Sequence, residues 1–234
     1  SGSVSLKVAI SGNGSVTYRG LATYNLSSDN SYSGGTSISG SATVVVSGST
    51  ALGSGLATVD SGGALALDGT AGSLALTNPL ALAGSGPSGF GALQNRGGLN
   101  SASGVITLNA GTLITTVDGS SLGLNGVISD GGKLFGITHL GYAGGQAGAL
   151  SFSAANTFGG TLNNTSGLVA LSNSKGAGTG PIAVQDGATL ALNAANGNLS
   201  VANLISAKGV GVNGIGAILN QFGNNTLSGV ITLA

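Results

Sequence analysis

The hexapeptide SGVITL stands at Ser103–Leu108 and again at Ser228–Leu233. The interval is 125 residues, and sliding the chain along itself by that interval aligns Gly34–Leu108 with Gly159–Leu233 without a gap, 31 of the 75 pairs being identical. Further matches include GGT (Gly34–Thr36 with Gly159–Thr161) and LAL (Leu65–Leu67 with Leu190–Leu192). Upstream, Asn30 and Tyr32 fall opposite Asn156 and Phe158 after a one-residue slip, and VAISGNGSV at Val8–Val16 resembles GVISDGGKL at Gly126–Leu134, 118 residues on. A long internal period constrains architecture before any local element does.

The segments inside each copy identify the element type. ATVVVS, GALALD, GVITLN, GTLITTV and ATLALN are short, alternating or β-branched, and bounded by Gly, Asn, Ser or Asp, which is the pattern of strands separated by turns. With 46 glycines and abundant Ser, Thr and Asn, no window favours a helix. A sandwich has a fixed strand order, whereas a stack of coils lengthens by repetition, so the period favours a solenoid. The expectation is an all-β, right-handed parallel β-helix of about eleven coils, each of roughly 21 residues and rising ~4.8 Å. It forms a single body built from two tandem units, approximately 1–118 and 119–234. Asn78, Asn95 and Asn100 recur as Asn203, Asn220 and Asn225, which suits turns where an amide side chain bonds backbone.

Composition narrows the function classes. Only 5% of residues are charged, the formal net charge is zero, and 41% are apolar; an ordinary soluble domain carries roughly 25% charge. The six basic residues are scattered singly, so there is no electrostatic footprint for nucleic acid or an anionic membrane, and no apolar run is long enough to span a bilayer. The first residues, SGSVSLKVAI, lack the layout of a signal peptide, so any export signal is expected to have been removed or to lie outside the sequence.

At LSFSAANTFGGTLNNTSGLVALSNSKGAGTGPIAVQDGATLAL (Leu150–Leu192) the chain resembles the autotransporter-associated β-strand repeat, or passenger-associated transport repeat, of bacterial surface proteins. Asn156, Thr157, Phe158, Gly159, Gly160 and Thr161 carry the centre of the motif, and Asn30, Tyr32, Gly34, Gly35 and Thr36 carry it in the earlier copy. The later copy reads as lacking one residue between Asn156 and its Gly pair, and the earlier has Ser31 where the motif has Thr. The resemblance implies a β-helical passenger segment exported across a Gram-negative-type envelope and held on the cell surface or in an extracellular fibre. It implies no catalytic residues, and the family's membrane barrel is not in this sequence.

Candidate chemistry is sparse. No charge recurs between the aligned copies: Asp60, Asp68 and Arg96 fall opposite Gln185, Asn193 and Gln221, and Lys175, Asp186 and Lys208 opposite Thr50, Ser61 and Ala83. The charges are therefore read as solvated surface. His139 is the only histidine, so a paired-imidazole metal site is ruled out. It opens HLGYAGGQ (His139–Gln146), read as an inserted loop in which His139 and Tyr142 are exposed and available to a partner. No catalytic residue, cofactor or metal is expected.

The functional expectation is a non-enzymatic, extracellular structural or adhesive rod, either a passenger segment or a filament-forming subunit on a bacterial surface. Its partners would be copies of itself end to end or a covalent continuation of the passenger, with a surface glycan or receptor as a further partner, and no membrane insertion by this segment. The alternative is a carbohydrate-binding or polysaccharide-degrading β-helix protein.

Overall fold

The computed structural model describes residues 2–142, 147–195 and 197–234. The chain forms a parallel β-solenoid of about ten turns. All strand pairings among the described residues are parallel. One column begins with Gly2–Leu6, Ala22–Leu26, Thr43–Val46, Ala64–Asp68 and Leu93–Gly97, each hydrogen-bonded to the next. A second runs through Val16–Arg19, Thr36–Ser39, Ala57–Val59 and Leu80–Gly84. A third joins Ala75–Leu76, Leu99–Ala102, Ser121–Leu124 and Ala149–Phe152. Backbone hydrogen bonds therefore run along the solenoid axis.

The turns are not uniform. Gly2 pairs with Ala22, 20 residues away, while Leu65 pairs with Leu93 and Leu190 with Ile218, each 28 residues away. The two long windings hold the short 3₁₀ turns Pro87–Gly89 and Val212–Gly214. The extra residues in these turns lengthen those windings beyond the expected 21. Two long strands, Ile106–Thr116 and Leu162–Leu171, serve two columns each. Ile106 pairs with Ile128 and Thr112 with Ile137; Leu162 pairs with Ile182 and Leu168 with Thr189.

Alternation along each strand builds the core. Strand Ile137–Gly141 buries Ile137 and His139 and leaves Thr138 and Leu140 partly exposed. Like side chains meet across windings: Ile137, Leu162, Ile182 and Ile205 stand in one buried column. Burial at ~25 cal/mol per Å² of apolar surface, repeated between neighbouring coils, supplies the stabilisation of such a stack. Small side chains suffice because the interior is narrow. The same hexapeptide has two fates in it: Ile106 and Leu108 are both 1% exposed, whereas Ile231 and Leu233 in the last winding are 41% and 81% exposed.

Candidate functional site

The recurring motif residues are the joints of the solenoid. Asn30 Oδ1 accepts the Ile10 N–H at 2.7 Å while its Nδ2 donates to the Ala51 carbonyl at 2.6 Å. Asn156 does the same with Ile128 N–H at 2.8 Å and Gly176 C=O at 2.7 Å. Each amide thus ties together the windings before and after its own. Asn100 donates to Asn95 Oδ1 and Gly97 O, and Asn225 to Asn220 Oδ1 and Phe222 O. Asn78 bridges the carbonyls of Gly53 and Gly55, as Asn203 bridges those of Gly178 and Gly180.

Tyr32 and Phe158 are buried, and the backbone beyond them is closed by matching contacts. Ser54 N–H donates to Tyr32 O and Thr179 N–H to Phe158 O. Gly53 and Gly178 have φ of 65° and 71°, and a Cβ on either would sit on the Tyr32 or Phe158 carbonyl oxygen and 3.0 Å from a ring carbon. Glycine is required there for both conformation and space.

The structure corrects the alignment of the motif itself. Thr36 pairs with Ala57 and Leu162 with Ile182, and the N–H groups of Thr36 and Leu162 donate to Leu56 O and Pro181 O. Thr36 therefore corresponds to Leu162, not Thr161, and Gly34 and Gly35 to Gly160 and Thr161, with Gly159 in the place of Ser33. No residue is missing after Asn156. The compensating residue lies in the turn that follows: the first unit turns through Gly40 and Ser41, with φ of 61° and 67°, where the second continues as the unbroken strand Leu162–Leu171.

His139 requires a larger correction. It lies on strand Ile137–Gly141, fully buried, not in an exposed loop. Its Nδ1 is 2.9 Å from Asn164 Oδ1 and its Nε2 is 2.9 Å from Thr116 Oγ1. Asn164 Nδ2 donates to Gly167 O and Thr189 O, so its oxygen faces the ring; Nδ1 carries the proton and Nε2 accepts from Thr116. Burial pushes the imidazole down to about 4, against the opposing pull of the Asn164 hydrogen bond. The ring also fits beside Gly141 and Gly167, where a Cβ would meet its Cε1 at 3.1 and 3.2 Å. His139 is a satisfied, neutral core residue. Tyr142 is 41% exposed, and Ala143–Gln146, the rest of the expected loop, lie outside the described residues.

Two further polar groups escaped the sequence reading. Asp130 is 2% exposed, and its carboxylate accepts from Gly132, Phe135 and Gly159 N–H groups at 2.9, 3.0 and 3.0 Å. The Gly159 bond, aided by the other two and opposed by burial, holds it below the usual carboxylate range. In the first unit the equivalent N–H, that of Ser33, bonds the Gly12 carbonyl instead. Tyr18, its ring 5.0 Å from that of Tyr24, has a buried hydroxyl with no hydrogen-bond partner among the described residues, and burial pushes its pKa up to about 12.

Against protein-family models, curated proteins and solved structures, the chain has no match.

A recess on the surface combines aromatic, cationic and amide side chains. This pocket of about 370 Å³ is lined by Pro87, Phe90, Gln94, Arg96, Thr115 and Tyr142, among others. Phe90 is 59% exposed, and Thr115 Oγ1 donates to its carbonyl at 2.9 Å. Arg96 Nε donates to Gln94 Oε1 at 3.0 Å, and Gln94 Nε2 donates to Gly91 O at 2.9 Å. Among the described residues no three His, Cys, Asp or Glu side chains are grouped as metal ligands, and no helix is long and apolar enough to cross a membrane.

Proposed function

We propose that this chain is a non-enzymatic rod, structural or adhesive, that acts outside a bacterial cell as part of a surface passenger or fibre. The observation that carries the reading is where the recurring residues lie: Asn30/Asn156, Gly53/Gly178 and Asn78/Asn203 serve contacts between windings, and so do Asn100/Asn225, whose Oδ1 atoms accept from the Leu74 and Leu199 N–H groups 26 residues away. The recurring residues serve packing, and the resemblance of Asn156–Thr161 to the autotransporter-associated β-strand repeat supports reading the rod as one carried on a Gram-negative-type surface. Low charge lets windings approach without repulsion.

End-to-end association is part of the proposal. Among the described residues, strands Ile218–Phe222 and Ile231–Leu233 are each paired on one side, with Ala188–Asn193 and Ile205–Ala207. In the first unit the matching strand Leu93–Gly97 and residues from Ile106 on are covered by residues 114–116 and by Ile128–Ser129. An additional winding, from a continuation or a second copy, would find register and hydrogen-bond partners already set.

The test is to treat intact producing cells with protease and image the purified chain. Release from the cell surface and particles ~48 Å long, or integral stacks of that length, support the proposal; a protease-protected, intracellular chain overturns it.

A further inference from the structure

We propose that the pocket between Phe90, Gln94, Arg96 and Tyr142 binds a sugar unit bearing a carboxylate, a hexuronate or similar acidic saccharide. The inference deepens the adhesive part of the function proposed above and rests on it.

The argument begins with what the two units share and where they part. The frame of the pocket is kept: Gly86 and Gly91 recur as Gly211 and Gly216, Asn95 recurs as Asn220, and both copies form the same 3₁₀ turn, Pro87–Gly89 and Val212–Gly214. Even the strained residue in the turn matches, Ser88 at φ 53° and Asn213 at φ 48°. Yet the side chains that face the recess differ, Phe90, Gln94 and Arg96 standing where the second unit has Ile215, Leu219 and Gln221. Phe90 and Arg96 are exposed, so the packing of the core does not call for an aromatic ring and a guanidinium there, while Gln94 is buried and bonded to Gly91 O. The divergence takes in the groups a ligand would touch.

Their chemistry identifies the ligand class. Phe90 and Tyr142 offer apolar faces of the kind that take the C–H face of a pyranose, with a phenolic hydroxyl for a ring substituent. Arg96 spends only Nε on the protein, on Gln94, so its two terminal nitrogens have no partner among the described residues. A guanidinium with those nitrogens free is suited to paired hydrogen bonds with a carboxylate. Partial burial disfavours the charged form of Arg96, and the field of the Asp68 carboxylate opposes that in part. The site is held ready: Phe90 N–H donates to Pro87 O, Gly91 N–H to Ser85 O, and Thr115 anchors the Phe90 carbonyl. Its volume of about 370 Å³ lies at the small end of the ~300–1,000 Å³ typical of small-molecule sites.

The experiment titrates the full chain with methyl glycosides of glucuronic and galacturonic acid, and with the corresponding neutral glucosides and galactosides, following chemical shifts. Saturable binding of at least one uronide is expected, about tenfold tighter than its neutral partner. Arg96→Gln should remove that preference, and Phe90→Ile should weaken both sugars about tenfold. Each variant installs what the second unit already tolerates, so folding is retained, and Ile215→Val serves as a control expected to change nothing. No saturable uronide binding, equal binding of acidic and neutral sugars, or binding indifferent to both variants overturns the proposal. Imaging separates the two ideas, since a chain that forms surface rods but binds no uronide leaves the function above standing and removes only this site.

Discussion

The Tyr32 hydroxyl lies 2.6 Å from Thr36 Oγ1, both side chains buried, and the Thr36 hydroxyl donates its own hydrogen bond to the Leu52 carbonyl at 3.1 Å. Tyr32 is therefore the donor. At the corresponding places in the second unit stand Phe158 and Leu162, both apolar and fully buried. The two units solve one packing problem in two ways, and they change both members together.

That pairing predicts non-additivity. Tyr32→Phe alone should destabilise by about 1 kcal/mol, and Thr36→Leu alone by more, because it strands the Tyr32 hydroxyl and the Leu52 carbonyl. The double variant copies the second unit and should recover part of the loss, with a coupling of roughly 1–2 kcal/mol. Denaturant midpoints of the four proteins measure it; strictly additive effects would reject the pairing.

Asn156 joins three windings through one amide. Asn156→Ala leaves the Ile128 N–H and the Gly176 carbonyl without their side-chain partner, and a cost of about 2–4 kcal/mol is expected. Asn156→Asp keeps the acceptor and loses the donor, and should cost about as much because it also buries charge. Hydrogen exchange at Ile128 gives a local readout, which should rise in the alanine variant and stay low in the aspartate variant above pH 6.

Acid should destabilise the chain in two stages. His139 titrates at about 4 when folded and near 6.5 when unfolded. The unfolded chain thus binds the proton first: the contribution of neutral His139 is complete above ~6.5 and is lost as pH falls towards 4, by up to ~3 kcal/mol. Asp130, held low by three N–H donors, contributes above the ordinary carboxylate pKa of ~3.9 and loses that contribution only as pH falls through its depressed value. Melting temperatures from pH 8 to 2 should drop first across the histidine window, and Asp130→Asn should remove only the lower step.

The Tyr18 hydroxyl makes the opposite prediction. It is buried without a partner, so Tyr18→Phe removes a desolvated polar group and keeps the ring beside Tyr24. Stability should be unchanged or rise by up to ~1 kcal/mol; a thermal melt showing a clear loss would mean the hydroxyl is satisfied in solution.

The parallel solenoid was legible because its two signals are independent. The 125-residue period names the repeat, and alternation in segments such as ATLALN names the strand. Winding length was harder to read, since the turn at Pro87–Gly89 enlarges a coil to 28 residues without disturbing the strands on either side. The one-residue slip was hidden by identical letters: GGT matches GGT at an interval of 125, although the backbone places Gly34 with Gly160. His139 misled because it stands before LGYAGGQ, a glycine-rich run that reads as a loop. A usable signal existed one winding away on each side, where Thr116 and Asn164 lie 23 and 25 residues off, at the interval of the stack. Arg96 has no counterpart in the second unit and reads as solvated surface, whereas the structure sets it at the rim of a recess beside Gln94.

The twin hexapeptides carry a lesson about where the cohesion resides. Ile106 and Ile231 have the same neighbours in sequence, yet one is sealed and the other is wet. Each rung therefore owes its persistence to the rungs above and below more than to its own letters.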